Sequence, residues 1–317
     1  MALTIRLAVR DWDWVTPLAL GDLKPDGFTL ELHRVADLPG NFGADPRYDA
    51  AEMSLSRYSL GRSRGEDSVF GMPHFLMRGF RHRCIVTAKT SGLTTIAQLR
   101  GQRIGLAGWQ DSGNTWTRAI LRREGIEVED ASWLVSRLGP THPITDRIGP
   151  YGRPGLIETV PGDRPLLEML EAGELAAVFM PFMPPSFFNP DAPLRQLLPD
   201  FRQAEIDYVA SVGYVPGMHL LGIKPAIVRD NPALPQALSE LLDECARIWN
   251  DKRVRYADTT PWLLDELRLV ARDLPPGWNA NGFAANEPMI NDFTAELHAQ
   301  GLTPQRLTPR DLFPAAP

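Results

Sequence analysis

The 317-residue chain has only two cysteines, Cys84 and Cys245, far apart and outside any CxxC unit. That count excludes a dense disulfide framework and a four-cysteine zinc site, so both are expected as separate buried thiols. HExxH, GxGxxG and the P-loop pattern are also missing, which leaves no motif for zincin, NAD or nucleoside triphosphate chemistry. No uncharged apolar run is long enough to span a bilayer, and the start MALTIRLAVRDWDW lacks a basic stretch followed by a long apolar one. Basic residues are outnumbered, 33 Lys and Arg against 39 Asp and Glu, for a formal net charge of -6. A broad nucleic-acid surface is therefore not expected. Together these absences predict a cytoplasmic, soluble protein with neither nucleic acid nor membrane as partner.

What is present is enough apolar material, 44% of residues, for one large domain or two lobes. TIRLAVRD at 4–11 and FTLELHRV at 28–35 read as strands, and HRCIVTA at 82–88 as a buried strand. The run over 50–64 carries enough helix formers to predict one helix. RIGLAG is followed by SGNTWTRAILRREG, a helix with Ser112 or Asn114 as its cap, ending before Gly125. The segments at 233–253 and 261–275 are helical, whereas the prolines of 181–190 forbid a continuous helix. Strands alternating with helices predict an α/β class.

Against the negative total, the stretch 51–83 concentrates Glu52, Ser54, Ser56, Arg57, Arg62, Arg64, His74, Arg78, Arg81, His82 and Arg83. Such a local excess of cations and proton carriers suits an acidic small molecule, a carboxylate above all. An imidazole exchanges protons near neutrality, which makes His82, His74 and His219 the candidate acid/base groups, His82 first. Glu52 is placed on a common helix face with Ser56 by i,i+4 spacing. Arg57, Arg78, Arg81 and Arg83 are candidate carboxylate forks, with Arg81 and Arg83 pointing together if the strand alternates through His82. Ser54 and Ser56 are candidate donors to ligand. No metal-ligand spacing stands out; no cofactor is expected, while a divalent metal requirement and homo-oligomer formation stay open.

The strings DAAEMSLSRYSLGRSRG, FRHRCIVTAKTSGLTTIAQLRGQRIGLAG, LLEMLEAGELAAVFMPFMPPSFF and VPGMHLLGI, with the ending NGFAANEPMINDFTAELHAQGLTPQRLTPRDLF, together resemble the 4,5-dihydroxyphthalate decarboxylase family. The resemblance runs in order along nearly the whole chain. It implies a type II periplasmic-binding-protein-like α/β fold of two lobes with mixed sheets and an interlobe cleft. The lobes would be 1–85 with 215–317, and 86–214. It also implies a carboxy-lyase of a hydroxyaromatic acid, with 4,5-dihydroxyphthalate giving protocatechuate as the nearest reaction and a small aromatic carboxylate as partner. In that reading His82 delivers a proton to the ring and Glu52 orients it or takes a phenolic proton. The turn Gln110, Ser112, Gly113, Asn114, Thr115 resembles the family's ligand-facing turn, where amide donors at a helix start hold a carboxylate. Trp109 would stack on the ring, and Phe187 would belong to a lid. Ala176 departs from the acidic residue that related binding-fold sequences often show there. The rivals are a solute-binding or sensory protein without catalysis, and an isomerase or other lyase of a small carboxylate.

Overall fold

The computed structural model describes residues 3–314. Its contacts divide the chain into two units, residues 3–78, 217–291 and 307–314 forming one, and 79–216 with 292–306 the other. The sequence reading carries 215–317 whole into the first lobe; in the structure 292–306 clusters with the second unit instead.

The first unit is built on β1 (Thr4–Arg10), β2 (Thr29–Val35), β3 (Ala50–Ser54), β4 (Phe70–Arg78) and the returning β11 (Gly217–Ile223), in the order β2-β1-β3-β11-β4. β1 runs parallel to β2 and β3, and β11 runs antiparallel to β3 and β4. Its helices are α1 (Thr16–Ala19), α2 (Leu55–Ser63), α6 (Pro225–Asp230), α7 (Leu234–Arg255), α8 (Leu263–Asp273) and α10 (Pro309–Leu312). Leu234, Leu238, Leu241 and Leu242 recur at helical spacing on α7 and bury against Ile5, Leu7 and Val9, the alternate residues of β1. Ala8 and Ala51 face the opposite layer with Phe42 and Tyr48.

The second unit carries β5 (Ile85–Ala88), β6 (Arg103–Leu106), β7 (Ser132–Val135), β8 (Ile157–Thr159), β9 (Ala177–Phe179) and β10 (Leu194–Gln196), ordered β10-β5-β9-β6-β7-β8. β9, β6, β7 and β8 are parallel, and β5 is antiparallel to β9 and β10. Around them stand α3 (Ser112–Arg123), α4 (Leu166–Glu171) and α5 (Phe201–Val212), while α9 (Phe283–Ala299) is divided between the units after Asn291. Leu166 and Leu170 of α4 pack on Val86 and Val178, giving this unit its own apolar core.

Two local expectations are corrected. The predicted helix over 50–64 is a strand, β3, that turns into α2 at Ser54. Ala50 and Ala51 are small enough to lie between β1 and β11, and ladder pairing there overrides helix propensity. Glu52 and Ser56 therefore do not share a helix face. The predicted strand over 82–88 begins only at Ile85, because His82–Cys84 forms a 3-10 turn. Strand alternation consequently does not aim Arg81 and Arg83 in one direction.

Candidate functional site

Glu52 lies near the carboxyl end of β3, beside the end of β1, where open α/β sheets present ligand-binding groups. Its side chain is completely buried, and its carboxylate is saturated by donors. Oε2 accepts from the Arg10 backbone N–H at 2.8 Å and from the Trp12 indole Nε1–H at 2.9 Å. Oε1 lies 2.5 Å from Nδ1 of His219 on β11. A carboxylate already accepting two N–H groups acts as acceptor for the third as well, so Nδ1 carries the hydrogen and Nε2 is left as the exchangeable nitrogen. His219 is the exposed member of the pair, at 15% of its side chain, and its ring tilts against Trp12 with centroids 6.5 Å apart. In the ladder His219 stands opposite Ser54, the residue from which α2 starts and whose hydroxyl accepts the Arg57 N–H. The positive end of the α2 dipole thus begins across the strand from the imidazole. Ser56 is buried in the first turn of α2, and the Arg57 side chain is exposed.

The other first-unit candidates separate by environment. His74 is buried on β4, its Nδ1 2.7 Å from Ser239 Oγ and its Nε2 3.4 Å from the Asn281 amide. Burial depresses its pKa to about 4, only partly opposed by Asp243, so it is a neutral packed histidine near pH 7. Arg78, at the end of β4, stacks over Phe75 and donates to Ala280 O and Asn286 Oδ1 at 2.9 and 2.8 Å. It makes no ion pair among the described residues, and burial lowers its pKa to about 10.

His82 belongs to the second unit. Its ring is buried edge-on to Tyr208 at 5.4 Å, Nδ1 has no hydrogen-bond partner, and burial, then Arg83 and Arg123, depress its pKa to about 4. Glu52, in the first unit, takes His219 as its partner. Arg83 is gripped by the buried carboxylate of Glu205, which also accepts the Arg83 backbone N–H at 3.1 Å. Arg81 is buried with two long contacts, 3.4 Å to Thr117 Oγ1 and 3.5 Å to Met180 O, and no ion pair among the described residues. Its guanidinium lies against Gly113, where an added Cβ would meet Cζ at 2.9 Å.

The turn before α3 holds itself together. Asp111, not Ser112 or Asn114, takes the N-cap position, without a side-chain cap bond. The Asn114 amide donates to Gly108 O at 2.7 Å, and Thr115 Oγ1 donates to Asp111 O at 3.1 Å. Ser112 is buried and Gln110 half-buried beside Gly149. Trp109 is a core pillar at 1% exposure, lying 4.0 Å from the fully buried guanidinium of Arg118. Phe187 packs partly on the second core, edge-on to the exposed Phe188. Among the described residues no group of three His, Cys, Asp or Glu gathers as a metal site requires. Trp12 and the Arg10 amide escaped the sequence reading; the only signal was the WDW run directly after the first strand.

No family model matches the chain. The 4,5-dihydroxyphthalate decarboxylase of Comamonas testosteroni is 29% identical over 324 residues, covering 98% of this chain and 96% of that protein. Among solved structures, the periplasmic aliphatic sulphonate binding protein SsuA of Escherichia coli superposes with a TM-score of 0.59 at 12% identity, over 97% of this chain and 91% of that one. The desulfurization enzyme DSZB gives 0.50 at 15% identity, over 98% and 96%. The fold is that of the type II periplasmic binding proteins. It carries both a sulphonate binding protein and a desulfurization enzyme, so fold alone does not choose between capture and chemistry. The cytoplasmic expectation is corrected by the same neighbours: the solved relatives of this fold include periplasmic binding proteins, and that assignment is withdrawn.

Proposed function

We propose that the protein takes a small aromatic acid as ligand and turns it over in a lyase reaction of the decarboxylase type, with Glu52 and His219 as its proton-handling pair. The observation that carries this is the buried Glu52 carboxylate, held by Arg10 N–H and Trp12 Nε1–H, behind a partly exposed His219. Similarity over nearly the whole length to a decarboxylase supports the reaction type. Chemically, His219 in its protonated form would give the Nε2 proton to the ring carbon bearing the carboxylate. The C–C bond then breaks, its electrons restore aromaticity, and carbon dioxide leaves, for a net exchange of carbon dioxide for a proton. A hydroxyl para to that carbon stabilises the protonated ring, as both carboxylates of 4,5-dihydroxyphthalate would require. Trp12 offers a ring face, and the start of α2 at Ser54, with Arg57 and the half-buried Arg78, offers the anion its donors. Arg81, whose guanidinium lies against Gly113 in the first turn of α3, is the second anion receptor of this reading, in the second unit.

A second reading is capture of a small organic acid without turnover, or another lyase step on such an acid. It is supported by the half-buried Arg78 and the buried Arg81, guanidinium groups without ion pairs among the described residues, which can bind an acid and do no chemistry themselves. Incubation with 4,5-dihydroxyphthalate, followed by mass, separates the readings. Protocatechuate formed over many turnovers, and lost about 100-fold or more in His219→Gln, supports the first. Bound acid recovered unchanged supports the second, and wild-type turnover in His219→Gln would overturn the residue assignment.

A further inference from the structure

The proton chemistry assigned to Glu52 and His219 leaves His82 without a role, although it lines a cavity of the second unit. That groove, about 460 Å³, is formed wholly by the second unit, between the last turn of α3, one face of α5 and the 3-10 turns at 82 and 96. Its floor is apolar and aromatic: Ile120, Leu198 and the edge-packed rings of His82 and Tyr208. Its charged groups are Arg123, Glu124 and Asp207, and none forms an ion pair among the described residues. They are held apart. Arg123 donates to Ser211 Oγ at 3.0 Å and sits 5.5 Å from the Tyr208 ring, while Asp207 accepts from the Gln203 amide at 2.8 Å. Asp207 and Ser211 lie one turn apart on α5, so the hydroxyl that receives Arg123 of α3 and the Asp207 carboxylate share one helix face.

We propose that this groove binds a free α-amino acid with an apolar side chain. The ligand's carboxylate meets Arg123 and its ammonium meets Asp207, with Glu124 nearby. Its side chain lies on Ile120 and Leu198. A purely anionic ligand is disfavoured by two carboxylates against one guanidinium, and a purely cationic one leaves Arg123 without a partner in the complex. A neutral His82 does not compete with Arg123 for the carboxylate. The volume suits a small molecule of this size.

The test is calorimetry and thermal melting of the full chain with L-leucine and L-phenylalanine as probes. 3-Phenylpropionate carries the carboxylate alone, and phenethylamine the ammonium alone. A saturable rise in Tm with an amino acid is expected. Each single-charge analogue, and each of Arg123→Gln and Asp207→Asn, is expected to weaken binding about tenfold or more, near 1.4 kcal/mol. No shift with either amino acid into the millimolar range overturns the proposal. So does equal binding of 3-phenylpropionate, or unchanged affinity in Asp207→Asn, a surface change that leaves the fold in place. None of the groove residues belongs to the Glu52–His219 pair, so failure here and failure of the lyase reading are separate results.

Discussion

A histidine that moves protons needs one nitrogen fixed and the other reachable, and of the three imidazoles singled out only His219 has both. His74 is held on each side by Ser239 and Asn281, and His82 has no carboxylate to set its tautomer. Glu52 supplies that setting for His219 and is itself aligned by the Trp12 indole. Glu52→Gln removes the charge and places an NH2 where an acceptor is needed. It is expected to lower kcat about 100-fold, with KM less affected, in steady-state assays of an established turnover. Trp12→Phe keeps a ring but deletes one donor to a buried carboxylate. Its expected cost is about 1.5–3 kcal/mol in denaturant unfolding, with a smaller loss of kcat. Unchanged stability in Trp12→Phe would remove Trp12 from the alignment of Glu52.

At the scale of elements, the same basic cluster is dispersed to different supports. Arg83 ties the 3-10 turn at 82 to α5 through Glu205, a carboxylate only 2% exposed. Truncating it leaves that carboxylate with the backbone N–H of residue 83 alone. Arg83→Ala is expected to cost about 3 kcal/mol of stability while leaving ligand affinity unchanged at a temperature where the variant is folded. A loss of affinity without loss of stability would return Arg83 to the anion clamp. Strand β3 matters for the same reason: because residues 50–54 are extended, Glu52 points beside the end of β1 and Ser54 faces His219.

For the whole molecule, each unit keeps one buried histidine whose folded-state pKa is pushed down to about 4, His74 in the first and His82 in the second. Between about pH 4 and 6.5 the unfolded imidazole binds a proton that the folded one refuses. Stability from these groups is therefore complete above about pH 6.5 and falls as pH drops toward 4, by at most about 3 kcal/mol for each histidine. Urea midpoints measured across that range are expected to decline on acidification, and the decline to flatten in His82→Gln. A midpoint independent of pH in this window would refute the burial of both rings.

The sequence by itself determined the α/β class, the first two strands, and the helices α7 and α8, and it supplied the residue types of the proposed site. Those follow from local periodicity, caps and turn residues, which neighbours within a few positions encode. The pairing of Glu52 with His219, 167 positions apart, was not legible, because it depends on β11 returning to lie between β3 and β4. Nor was the strand at 50–54, where ladder pairing with β1 and β11 outweighs helix propensity. Composition put cations and histidines in one stretch of chain; only the tertiary structure decided that Arg83 meets Glu205, that His74 and His82 are sealed neutral, and that His219 is left partly exposed beside Glu52.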